Sequence, residues 1–157
     1  MAMNRRQFLA DAAAAGFVLT PLAALLSACG HTAMPEGMAA IKWDRDTCTR
    51  CGMVLSDRRF GAQLRGGPQD ANHNFDDIGC VVFWLKAQPW GGDAATRIWV
   101  ADVGSRGDAV RWLDARRAQY VGGKASPMGY DFGAVAQAEA GSLDFKTMRE
   151  HVLARGK

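Results

Sequence analysis

The apolar residues of this chain come in short blocks cut by glycine, proline and acidic residues, a rhythm of strands and brief helices. Phe60–Leu64 predicts a strand, the Gly66-Gly67-Pro68 triplet a turn, and His73-Asn74-Phe75 the start of a short return strand. Asp76 and Asp77 then precede the dense apolar run Ile78–Leu85, the pattern of a capped, buried helix, and Gly91-Gly92 closes that unit. Arg97–Asp102 reads as a central strand, and Ala109–Asp114 as a short helical turn with Val110 and Leu113 facing inward. Ala118–Val121 predicts a second strand and Pro127–Val135 a third, broken by glycines where a backbone or ligand can come close. Asp144 caps a terminal helix through Leu153, with Phe145, Met148 and Val152 on one stripe. Each half thus offers strands and one helix, which predicts an α+β fold with two small lobes at about 41–92 and 93–157.

A different pattern precedes these elements. Arg5-Arg6 stands before Phe8-Leu9 and an alanine-rich apolar run from Ala12 to Leu26, the pattern of a twin-arginine-type signal peptide over residues 1–28. Asp11, Gly16 and Pro21 interrupt the run, which falls short of the roughly 18 residues a membrane-spanning helix requires. Leu26-Ser27-Ala28-Cys29 ends it with small residues before a cysteine, as lipoprotein processing demands, so Cys29 is expected to become the lipidated first mature residue. Acyl chains contribute about 0.8 kcal/mol per buried methylene, enough in combination for stable anchoring. The expected location is therefore the periplasmic side of the cell envelope, lipid-anchored to a membrane. Residues 29–40, small, polar and broken by Gly30, Pro35 and Gly37, read as a flexible tether leading to a domain over 41–157.

Composition narrows the function classes. Loss of Arg5, Arg6 and Asp11 with the signal takes the 19 basic and 16 acidic side chains to 17 and 15, a balance that does not suggest nucleic-acid binding. No nucleophile, base and oxyanion set emerges, so no catalytic residues are assigned and an enzyme is not expected. With Cys29 lipidated, Cys48, Cys51 and Cys80 remain, an odd number in an oxidising compartment, so at least one thiol stays unpaired or binds something.

Cys48-Thr49-Arg50-Cys51 is a CxxC pair, which serves zinc knuckles, redox dithiols, soft-metal clamps and structural disulfides alike. A structural zinc site wants four protein ligands, and no second CxxC or paired-histidine motif follows. A thioredoxin-like dithiol would open a helix, against which Gly52 stands. Methionine shifts the balance toward monovalent copper, Cu(I), because thioether and thiolate both suit that ion. Met53 lies two residues after Cys51, and Met128 sits between Pro127 and Gly129, residues that thin the backbone instead of continuing a packed face. Cys80, in the first turn of the expected helix, reads as a buried structural thiol, with a third sulfur ligand or a disulfide partner as alternatives. Asp76 and Asp77 read as helix-capping residues, and His31, His73 and His151 as surface histidines.

The order CTRCGM, FGAQL, FDDIGC, IWVAD, AQYV and PMGYDFGAVA resembles the NosL family of copper-binding accessory lipoproteins, over nearly all of the mature chain. That resemblance implies a periplasmic metallochaperone that binds Cu(I) and delivers it to a recipient cuproenzyme such as nitrous oxide reductase. It also implies two ββαβ-like lobes, the amino-terminal one treble-clef-like. Carried onto this chain, it makes Cys51 the principal thiolate, Met128 the thioether ligand and Met53 a weaker candidate. Many members linked to nitrous oxide have a histidine where this chain has Thr49, and Cys48 stands as the replacement donor. The rival readings are a periplasmic thiol oxidoreductase using Cys48 and Cys51, and a structural zinc-knuckle interaction module.

Overall fold

A computed structural model describes residues 34–156; the expected signal peptide, Cys29 and His31 lie outside the described residues. Among the described residues, six strands and two helices follow in the order β1 (Ala62–Gly66), β2 (Ala71–Phe75), α1 (Ile78–Lys86), β3 (Arg97–Ala101), β4 (Trp112–Asp114), β5 (Gln119–Gly122), β6 (Phe132–Val135) and α2 (Phe145–Arg155). The α+β class is as expected. Among the described residues, no helix is long and apolar enough to cross a membrane.

β1 is the pivot of a four-stranded antiparallel sheet in the order β2-β1-β3-β4. Leu64 pairs with His73 on one side and with Ile98 on the other. Strand alternation sends Ala62 and Leu64 to one face and Gln63 to the other, and all three are fully buried. An amide buried on a sheet face must be hydrogen-bonded. Gln63 accepts from Ala39 N–H at 2.7 Å and donates to Ala39 C=O at 3.0 Å and Asn74 Oδ1 at 2.7 Å. Those bonds hold the end of the segment expected as a flexible tether: Met38 is buried beside them, and Arg65 donates to Gly37 C=O.

Both helices begin as expected. Asp77 caps α1 by accepting from Gly79 N–H at 2.9 Å, and Asp144 caps α2 by accepting from Thr147 N–H at 2.7 Å. Met148 and Val152 turn the buried stripe of α2 inward, where it packs on α1 and β5.

Two expectations are corrected. Ala109–Asp114, expected as a helical turn, ends in β4, because Val100 and Ala101 offer an open strand edge to Leu113 and Trp112. A segment this short gains more from pairing with a preformed edge, and from Trp112 stacking on Trp43, than from a single helical turn. Pro127–Val135 is a strand only from Phe132, since Ser126–Gly129 closes a turn. Strands β1 and β2 share their sheet with β3 and β4, and β1-β2-α1-β3 is a ββαβ unit. The hairpin β5–β6 and α2 share with it one core that runs from Cys48 and Leu55 to Met148 and Val152.

Candidate metal centre

The CxxC segment forms a tight knuckle. Cys48 N–H donates to Met53 C=O at 2.8 Å, Gly52 N–H returns to Cys48 C=O at 2.9 Å, and Thr47 bridges Val54. Gly52 completes the reversal at φ +75°, a left-handed conformation that a side chain would oppose. Thr49 N–H donates to Asn74 C=O at 2.7 Å and fastens the knuckle to β2. At the far end of β2 the chain passes through Phe75 and Asp76 into the Asp77 cap, which places Cys80 in the first turn of α1.

Cys48, Cys51, Asp76 and Cys80 thereby meet, their donor atoms all within 4.8 Å of one another. Cys48, Asp76 and Cys80 are buried and Cys51 is half-buried. The Cys51 thiol points at the Asp76 carboxylate, 3.5 and 3.6 Å from its two oxygens. None of the three thiols is in a disulfide.

The electrostatics follow from crowding acidic groups out of water. A hydrogen bond from the Cys80 thiol, joined by backbone amides, pulls Cys48 well below the ordinary thiol range, whereas that same bond and burial push Cys80 up. Burial raises Cys51 to about 11, and burial followed by the neighbouring Cys48 raises Asp76 to about 6. Arg50 supplies a nearby cation: its guanidinium lies 3.9 Å from Cys80 Sγ, donates to the Tyr130 hydroxyl at 2.9 Å, and stacks over Phe83 at 4.8 Å.

The structure brings Cys48 and Cys51 together. Met53 is exposed, and its backbone C=O closes the knuckle. Met128 is half-buried against the core in a turn pinned near the cluster. Ser126 Oγ donates to Asp77 at 2.5 Å, the Met128 backbone N–H donates to the same carboxylate, and Tyr130 reaches Arg50. His73 packs on Trp84 and His151 on Phe132, and neither joins the sulfur cluster. Sequence reasoning placed Cys80 foremost as a structural thiol and took Asp76 for a capping residue. The available signal was a third cysteine in the first turn of a helix, where unpaired amides favour the thiolate form that a metal ion needs.

A knuckle and a helix start that converge three thiols and a carboxylate define a small α+β domain with a centre able to hold a metal ion. The NosL family model matches residues 40–148, and the chain belongs to that family. No curated protein matches the chain. Among solved structures, that of the copper chaperone NosL from Shewanella denitrificans is similar over 77% of this chain and 89% of that one, at 20% identity and a TM-score of 0.49.

Proposed function

We propose that this protein is a lipid-anchored Cu(I) carrier on the periplasmic side of the cell envelope, serving an extracytoplasmic cuproenzyme such as nitrous oxide reductase. The observation that carries the reading is the convergence of three unbridged sulfurs at one buried point in a member of the NosL family. Thiolate and thioether sulfur select Cu(I) over hard ions. Cys48 and Cys51 clamp the ion, Met128 closes the site from its turn, and Met53 is an outer thioether beside the half-buried Cys51. Copper is cargo here and nothing is turned over. Recipient thiols or imidazoles take it by ligand exchange, first at Cys51, the most accessible of the three sulfurs. Cys29, after Leu26-Ser27-Ala28, supplies the anchor.

A dithiol oxidoreductase fits less well, because Cys48 and Cys51 sit in a knuckle and not at a helix start. Competition with a monovalent-copper chelator tests the proposal. The reduced protein should take one ion, and Cys51→Ser and Met128→Leu should each weaken binding by about tenfold or more, a loss of about 1.4 kcal/mol. Affinity unchanged in both variants refutes it.

A further inference from the structure

Asp76 has no use in a copper site made of sulfur. A carboxylate is a hard donor that adds little to Cu(I), yet this one is buried, 3% exposed, with both oxygens turned to the Cys51 thiol. Burying a carboxylate is costly unless something compensates its charge. Its partners in the structure are thiols, themselves acidic groups, so the cluster gathers negative charge as it ionises.

The spacing identifies a charge that fits. In a tetrahedral zinc site, with bonds of about 2.3 Å to sulfur and about 2.0 Å to oxygen, neighbouring donors stand roughly 3.5 to 3.8 Å apart. The Cys51–Asp76 pair already has 3.5 Å, and all four donor atoms lie within 4.8 Å. A knuckle supplying two cysteines and a helix start supplying the third give a closed set of four, the number a structural zinc ion takes. Three thiolates and one carboxylate around a divalent ion leave a double negative charge, and the Arg50 guanidinium beside Cys80 offsets part of it.

We propose that Cys48, Cys51, Asp76 and Cys80 form a tetrahedral site for a divalent zinc-class ion, competing with Cu(I) for the two knuckle thiols. The two ions use different closing ligands. Zinc draws on Asp76 and Cys80 and leaves Met128 aside; copper draws on Met128 and leaves Asp76 aside. Binding displaces the thiol protons into solvent and ties the knuckle to the start of α1. The zinc site stands on the four-donor geometry, and only its competition with Cu(I) rests on the copper reading.

The test uses the full chain with reduced thiols, titrated with zinc(II) against a chromophoric chelator, and with cobalt(II) as a spectroscopic stand-in. Wild type should bind one ion, and the cobalt form should show the intense visible bands of tetrahedral coordination with a thiolate-to-metal charge-transfer band. Asp76→Asn and Cys80→Ser should each weaken zinc by more than about tenfold, the lower end of what even outer partners of a ligand are worth. Met128→Leu should leave zinc unchanged. Circular dichroism of each variant separates ligand loss from unfolding, and the wild-type cobalt spectrum stands whether or not a variant folds. An octahedral cobalt spectrum overturns the inference, as does wild-type-like zinc affinity in folded Asp76→Asn and Cys80→Ser. If zinc follows this pattern while Cu(I) ignores Met128→Leu and Cys51→Ser, the copper reading falls and the zinc site stands.

Discussion

Gly79→Ala is a sharp test of how α1 is seated. A Cβ at this position would lie 2.1 Å from Tyr130 Cδ2 and 2.2 Å from its Cγ, more than about 1 Å inside ordinary carbon–carbon contact. Tyr130 has no easy escape: it is fully buried, packs on Phe83 with ring centroids 5.8 Å apart, and accepts from Arg50. Helix propensity opposes the clash, since alanine is favoured over glycine by about 1 kcal/mol in a helix interior. Overpacking a locked site costs about 1–3 kcal/mol and at this depth reaches the top of that range, so net destabilisation should be about 1–2 kcal/mol. For a domain of this size that lowers the melting temperature by roughly 3–8 °C. Thermal unfolding followed by circular dichroism, metal-free and with reduced thiols, measures it. Gly92→Ala is the control, because a Cβ there meets nothing within 4 Å. A Gly79→Ala protein that melts at or above wild type refutes the reasoning.

Asp77→Ala removes the cap of α1 together with the partner of Ser126 and the Met128 amide, and should cost about 2–4 kcal/mol in denaturant unfolding. In molecules that remain folded it should also weaken Cu(I) binding, without touching any ligand. Gly52→Ala meets no steric obstacle but keeps φ +75°, so the knuckle should lose about 1–2 kcal/mol from backbone strain alone, read from the denaturation midpoint. Burial against Trp84 lowers the pKa of His73, so the unfolded chain takes up the proton first as pH falls. The stability it contributes is complete above the ordinary histidine range and is lost as pH drops through that range toward the lowered value. His73→Gln should flatten that part of the stability profile, and an unchanged pH slope would show that this histidine does not contribute.

Elements with their own punctuation were legible in the sequence. Asp77 and Asp144 mark two helix starts, and the Gly66-Gly67-Pro68 turn joins β1 to β2. β4 was not, because the spacing of Val110 and Leu113 satisfies a helical turn while the strand edge that recruits Trp112 and Leu113 comes from β3. The site divided in the same way. The two knuckle cysteines announce themselves by spacing, whereas Asp76 and Cys80 join them through the path of β2 into α1, and a capping residue and a ligand carry the same carboxylate. Gly79 gave no local sign of its role, which depends on an aromatic ring delivered from beyond β5.

The pairing of β1 with β3 bears on any attempt to miniaturise the protein. A peptide cut after α1 would keep every thiol of the cluster but strip Ile98 and Trp99 from the flank of Leu64 and Gln63. It would bare a row of backbone donors and acceptors ready to dock with a neighbouring copy. Such a fragment invites self-association through its raw edge, so the sulfur cluster is not a portable module and belongs to the whole sheet.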